Sequence, residues 1–471
     1  MAKQFEMRAS HLVRSSLLVL SIWLLLTVAA NSESDSPLPH ELGILLTEGL
    51  QQNLQLQSLS AQVEQLKREI GFAGALDDPR IGLGLLNVPT DTFSLDQEPM
   101  TQKQISFAQK LPLFGKLDLK SKRAAILALR QQIILEAKRL EVARQISTSY
   151  YELAFVRSSI DTNAKLSDLV ESLLQIAESR YSTGKALQQD VLQAQVELSK
   201  LLDEKISLRR RERTIEARLN ALLSRDAFAP VKTGPLPTFG EVRLDLKELH
   251  QKGLEQNRAI AVKRAEIDQA ELEVALARKQ YWPDMDLRFA YGQRDEDLNG
   301  RDLPDFVSGQ VVFNVPLWHN KRQGNQLASA QEKHQAAVKA YENLARALPF
   351  RIDEVVSAIE DTQDNMKLFR DALLVQVDSW AESALVSYEV GKLEFNSMIS
   401  AQLRQLQFEL QKLRYKTTIL QNLAELDEIL GRLPVQVKPT AENVSDHKSS
   451  NQSHNGQSAN NSSFGRYWGL K

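Results

Sequence analysis

The 471-residue chain contains no cysteine, only 20 glycines, and aromatic residues at just 6%. Without thiols it can form no disulfide and no thiolate metal site, and it cannot carry a lipid on an N-terminal cysteine. That composition fits an oxidising compartment without requiring one. An excess of one charge is missing too: 58 basic against 60 acidic residues leave a net charge of −2, so no bulk field would hold nucleic acid. Past the first thirty residues no apolar run reaches the roughly 20 residues of a membrane-spanning helix, so any spanning must be done by strands. Proline and glycine are absent from Lys116 to Arg180. A helix of about 65 residues would be about 95 Å long, far longer than a globular domain is wide.

The N-terminus carries what the rest lacks. Lys3, Arg8 and Arg14 precede an apolar run over 15–28, followed by Val28-Ala29-Ala30 and the polar Asn31-Ser32-Glu33-Ser34. This order predicts a secretory signal peptide over 1–30, with a membrane anchor as the alternative. The chain also repeats itself at long range. Leu50-Gln51-Gln52-Asn53 returns as Leu254-Glu255-Gln256-Asn257, Pro79 as Pro283, and Leu111-Pro112-Leu113-Phe114 as Val315-Pro316-Leu317-Trp318, each 204 positions on. Tyr181-Ser182-Thr183-Gly184-Lys185 returns as Tyr388-Glu389-Val390-Gly391-Lys392 at 207, so three residues were inserted in between. One supersecondary unit therefore occurs twice. The expected organisation is a first repeat over 31–230, a Pro/Gly linker over 231–245, a second repeat over 246–433, and a disordered polar tail over 434–471.

Within each unit the pattern predicts a helix, two strands, a long helix, a glycine turn and a further helix. The first helix runs from Glu41 to about Leu76 and its counterpart from about Leu246 to Tyr281. Ile81, Leu83 and Leu85 alternate with Arg80, Gly82 and Gly84; Ile105, Phe107 and Leu111 alternate with Gln104, Ser106, Ala108 and Lys110. In the second unit Met285, Leu287, Phe289 and Tyr291 alternate with Asp284, Asp286, Arg288 and Ala290, and Val307, Val311, Phe313 and Val315 share a face. Leu166, Leu169, Leu173 and Ile176 read as a coiled-coil seam. Leu198, Leu201, Leu202, Ile206, Leu219 and Leu222 are candidate packing residues of the next helix, and Pro349 marks an expected irregularity. One strand face could meet lipid and the other water, yet a single-chain barrel needs about eight strands, so four cannot close alone. An open edge is not viable in hydrocarbon, so other copies of the chain must complete the cylinder. Two hairpins of a soluble α+β protein are the alternative.

This duplicated order, with the motifs Leu111-Pro112-Leu113-Phe114-Gly115-Lys116 and Val315-Pro316-Leu317-Trp318 leaving the hairpins, resembles the TolC-like outer-membrane efflux factor family from about Glu41 to Leu433. The resemblance implies a mainly α fold with some β: a homotrimer whose twelve strands form one barrel in outer-membrane lipid, continuing into a periplasmic α-helical barrel. It implies barrel-to-helix transitions at Pro112, Gly115 and Pro316. It places two tips, Thr183-Gly184-Lys185-Ala186 and Val390-Gly391-Lys392-Leu393, against a periplasmic adaptor protein. The adaptor would link the duct to an inner-membrane pump of the resistance–nodulation–division (RND) type. Each glycine lets a long helix reverse. A periplasmic gate is implied at Asp190 and Tyr388. Leu393 stands where some relatives have an arginine, and Ser397 and Ser400 where some have acidic residues. The stretch from Asn87-Val88-Pro89 to Met100-Thr101 resembles the heavy-metal, CzcC-like branch, which points to metal cations as cargo.

No phosphate-binding lysine loop, nucleophile elbow or His-Glu-x-x-His is present. His447 and His454 lack ligand spacing, and a lone Met100 is a packing residue in the ordinary case. The expectation is a passive conduit that is not an enzyme, with no cofactor, no metal site and no nucleic acid partner. Arg209-Arg210-Arg211-Glu212-Arg213 reads as a solvated helix face. An alternative function on the same architecture is the outer-membrane duct of a type I protein secretion system. A coiled-coil envelope protein without a pore is a different class.

Overall fold

A computed structural model describes residues 38–237, 239–296 and 300–434. The expected signal peptide, and the tail from 435 onward, lie outside the described residues. The elements run α1 (His40–Gln52), α2 (Leu54–Gly74), β1 (Arg80–Leu86), β2 (Gln102–Leu111), α3 (Lys116–Ser182) and α4 (Gln188–Leu223), then α5 (Leu246–Gln256), α6 (Arg258–Lys279), β3 (Met285–Gln293), β4 (Phe306–Phe313), α7 (Gln323–Leu368), a π turn (Phe369–Leu373), α8 (Leu374–Glu389) and α9 (Phe395–Ile429).

The helix preceding each hairpin is not continuous. It breaks at Asn53 and at Asn257, where ψ is 116° and 125°. Each asparagine caps the following helix, its side-chain oxygen accepting from the backbone N–H of Leu56 or Ile260. Each amide nitrogen donates to a carbonyl at the far end of the unit, Leu222 O and Ile429 O, both at 2.8 Å. The repeated asparagine is therefore a cross-brace that ties the start of each unit to its end.

The three-residue offset resolves into two events. Buried Val142, Ile146, Ser149, Tyr150 and Leu153 of α3 correspond to buried Leu348, Ile352, Val355, Val356 and Ile359 of α7 at a spacing of 206. Beyond the π turn, Val170 and Ala177 correspond to Val377 and Ala384 at 207. A π turn is a one-residue insertion in a helix, and this one supplies the third residue. The other two sit in the turn between Pro316 and α7. The helix runs through Pro349, so the irregularity lies some five turns further on than the proline suggests. The seam in α3 is Leu166, Val170, Leu173 and Ala177, with Ile176 exposed and Leu169 half-buried. Leu202 and Ile206 of α4 are also exposed rather than packed.

The four strands form one antiparallel sheet in the order β1-β2-β3-β4. Side by side across it lie Leu83, Ile105, Tyr291 and Val307, and next to them Ile81, Phe107, Phe289 and Gly309. The opposite face carries Gly82, Ser106, Ala290 and Ser308 in one row and Arg80, Ala108, Arg288 and Gln310 in another. The apolar face is uncovered: Leu83 is 79% and Val307 81% exposed. No described residue pairs with the outer edges of β1 and β4. In the helical part α2, α3, α6 and α7 lie in sequence, with α4 and α9 packed on α3 and α9 also on α7. The segment 231–245 is no free linker. Val231 and Val242 are buried, Arg157 donates to Val231 O at 2.8 Å, and Val242 exchanges two hydrogen bonds with Gln363.

Candidate functional site: a sheet, a duct of helices and two tips

The sheet meets the helices through a buried clasp. Lys116, the first residue of α3, is 3% exposed; its ammonium sits 2.7 Å from Asp284 Oδ1 and donates to Trp282 O at 2.8 Å. Phe114 packs on Trp282 with ring centroids 4.9 Å apart. The exit of the first hairpin is thereby locked to the entrance of the second. Gly115 takes the left-handed conformation that starts α3 (φ +76°), between Pro112 and Lys116. Counting 204 positions on from Lys116, the second unit has Asn320, exposed, and among the described residues no ion pair ties this turn to a hairpin. Pro316 leads instead into a turn over Val315–Arg322 in which Leu317 and Trp318 are exposed.

At the other end of the molecule both tips reverse in the same way. Gly184 (φ +71°) donates to Tyr181 O and Lys185 to Arg180 O; Gly391 (φ +75°) donates to Tyr388 O and Lys392 to Ser387 O. This paired closure satisfies the last helical carbonyls and needs a residue without a Cβ penalty at positive φ. Thr183, Gly184, Lys185, Val390, Gly391 and Lys392 are exposed, while Ala186 and Leu393 are half-buried. Leu393 packs into two apolar clusters and acts here as a packing residue.

Tyr388 and Asp190 are not brought into contact. Asp190 lies half-exposed in the first turn of α4. Tyr388 is 6% exposed, its ring 5.7 Å from that of Phe395, and its buried hydroxyl has no partner among the described residues. What holds Tyr388 is Arg180, a residue the sequence reading passed over. Its guanidinium stacks 4.7 Å from the Tyr388 ring and donates to Tyr388 O, which also accepts from Gly391, and to Glu389 O, both at the end of α8. The signal was a cation in the last turn of a helix, which suits its own helix end in the ordinary case; here it caps the neighbouring one.

Among the described residues no helix is long and apolar enough to cross a membrane, and no group of three or more His, Asp or Glu side chains is placed to hold a metal ion. An uncovered apolar sheet face backed by a polar one, continued by a helix of 67 residues, has the form of a wall segment of a transport duct. The model of the outer membrane efflux protein family matches residues 45–225 and 249–432, and the chain belongs to that family, whose members are transport channels of the outer membrane and not enzymes. The cobalt-zinc-cadmium resistance protein CzcC of Cupriavidus metallidurans is 22% identical over 408 residues, covering 85% of this chain and 91% of that protein. The fold is similar to that of the outer membrane protein VceC of Vibrio cholerae, with a TM-score of 0.70, 19% identity, and coverage of 83% of this chain and 96% of that one. It is likewise similar to that of CusC, a protein that changes conformation on folding and transmembrane channel formation, with a TM-score of 0.72, 14% identity, and coverage of 86% and 96%.

Proposed function

We propose that this protein is the outer-membrane channel of a tripartite efflux system, built from three copies that pool their strands into one twelve-stranded barrel. The observation that carries this reading is the four-stranded sheet, whose apolar face is uncovered and whose two edges are unpaired within the chain. In hydrocarbon every backbone N–H and C=O needs a partner, so β4 of one copy must meet β1 of the next until the ring closes. The signal peptide over 1–30 delivers the chain across the inner membrane, and the two repeats supply alternate sectors of the ring. The helices extend the duct into the periplasm. There Thr183-Gly184-Lys185-Ala186 and Val390-Gly391-Lys392-Leu393 dock an adaptor that connects to an RND-type pump, and the tip near Asp190 and Tyr388 closes the resting channel.

Metal cations are the proposed cargo. Support comes from the similarity to CzcC over 91% of that protein's length and from the stretch between Asn87 and Thr101. Deleting the gene and measuring susceptibility to cobalt, zinc and cadmium beside a panel of dyes and antibiotics tests this. Selective sensitisation to the metals is expected. Sensitisation to dyes and antibiotics alone overturns the cargo, and loss of a secreted protein with unchanged susceptibility overturns efflux. The double variant Gly184→Trp/Gly391→Trp is expected to abolish resistance while leaving assembled channel in the membrane; full resistance in that variant refutes tip docking.

A further inference from the structure

The basic run on α4 has no role in the chain as described. Arg211 pairs with Glu152, but Arg209, Arg210 and Arg213 are exposed and make no ion pair among the described residues. The internal duplication says what their face is for. In α9 the residues 207 positions further on pack against α3: Leu413, Thr417, Leu420, Gln421, Ala424 and Glu428 are all buried or half-buried. Gln421 donates to Thr148 O at 3.1 Å, Glu428 pairs with Arg144, and Arg414 pairs with Glu152 and stacks over Phe155. The matching residues of α4 are Ile206, Arg210, Arg213, Thr214, Ala217 and Ala221, and every one is exposed, Ile206 by 68%.

The other half of that interface is also left bare in its second occurrence. The residues of α3 that meet α9 are Arg144, Thr148, Tyr151, Glu152 and Phe155. At the spacing of 206 that holds above the π turn, their counterparts on α7 are Phe350, Glu354, Ser357, Ala358 and Asp361. All five are exposed, Phe350 by 75%, and Glu354 is paired with Arg351 of its own helix, one turn away, through one carboxylate oxygen. The two bare faces are complementary in size and in charge. Where the covered interface sets Arg144 against Glu428, the bare ones set bulky Phe350 against small Ala221. Where Gln421 and Arg414 meet Thr148 and Phe155, the bare ones bring Thr214 and Ser207 opposite Glu354 and Asp361. Arg210 lies midway between Ser207 and Thr214 on the α4 face.

We propose that the arginine face of α4 docks on the acidic stripe of α7 of a second copy of this chain, Arg210 reaching Asp361 and Glu354, and Arg213 reaching Glu354. The proposal rests on the assembly of copies put forward under Proposed function, and it assigns the contact that copies make outside the membrane. Guanidinium–carboxylate pairs on a helix face that becomes desolvated favour one docking register and penalise like-charge alternatives, which suits a ring that must close at a fixed number of copies.

Charge exchange in the full-length protein, extracted in detergent, tests it. Arg210→Glu/Arg213→Glu should lower the fraction of sodium-dodecyl-sulfate-resistant oligomer at least tenfold, with helix content unchanged because the two arginine side chains are exposed and make no ion pair among the described residues. Adding Glu354→Arg/Asp361→Arg to the same chain should restore it. The absence of native cysteine makes a second readout unambiguous: Thr214→Cys with Glu354→Cys should join neighbouring chains through a short bis-maleimide, whereas Thr214→Cys with Asp168→Cys should not. Wild-type oligomers that persist unchanged in the charge-reversed variant, or no rescue by the exchange, overturn this contact while leaving the shared barrel standing. A wild-type protein that is a single chain in detergent overturns the shared barrel itself.

Discussion

Replacing Lys116 tests the joint between membrane and periplasmic parts. The Lys116 side chain is 4% exposed and its ammonium holds two acceptors, Asp284 Oδ1 at 2.7 Å and Trp282 O at 2.8 Å; the Asp284 side chain is itself 16% exposed. Lys116→Met keeps most of the packing volume but strands the half-buried Asp284 carboxylate and the Trp282 carbonyl. Breaking a buried ion pair from one side costs about 3–5 kcal/mol. Changing both partners, as in Lys116→Met/Asp284→Leu, removes the stranded charge as well. That double variant should lie within about 1 kcal/mol of wild type, because an apolar pair of similar volume replaces a buried ion pair at little cost. The matching position of the second unit, Asn320, is exposed and serves as an internal control: Asn320→Ala should change stability by less than about 0.5 kcal/mol. Guanidinium chloride titration in detergent, followed by tryptophan fluorescence, of wild type, these three variants and Asp284→Leu alone gives each cost and the coupling energy. A Lys116→Met cost below about 1 kcal/mol, or additive single and double costs, would show that the clasp does not join the hairpins as described.

Two further outcomes follow from the geometry. Gly431 has φ +71°, and a Cβ there would meet Gln256 O at 2.2 Å, so Gly431→Ala should cost about 2–4 kcal/mol by the same titration, left-handed strain adding to a backbone clash that cannot rotate away; a neutral result refutes the placement of that turn. Burial pushes the Glu273 carboxyl up, but hydrogen bonds from Lys333 and Gln269 outweigh it and hold the pKa below the usual carboxylate range. A depressed folded pKa contributes stability above the unfolded value that is lost as pH falls through the folded one. Glu273→Gln should therefore flatten the decline in stability between about pH 5 and about pH 3 while costing under about 1 kcal/mol at neutrality; an unchanged slope contradicts the assignment.

How far the sequence disclosed this molecule depended on how many residues carried each signal. Strand alternation runs over whole segments and is tied to lipid-facing burial, so the four strands and their faces were readable. The tip glycines were readable because two copies stood in the same context. The repeat shows Asn53 and Asn257 but not the helix breaks there, since asparagine in an amphipathic run is tolerable and only its distant partners, Leu222 and Ile429, reveal the cap. The π turn was out of reach: a one-residue insertion shifts the apolar stripe by about 100°, which a short heptad pattern absorbs. Arg180 and Lys116 escaped because their partners lie 208 and 168 residues away, and single-residue reading supplies no distance.

The mass of the particle in detergent, by light scattering with the detergent subtracted, addresses the central claim most directly. Three chains per particle, together with ion conductance in planar bilayers, is the result this account predicts. A single chain that stays monodisperse in buffer without detergent would contradict it, because a lone sheet with an uncovered apolar face and two open edges could not then be part of a shared membrane barrel.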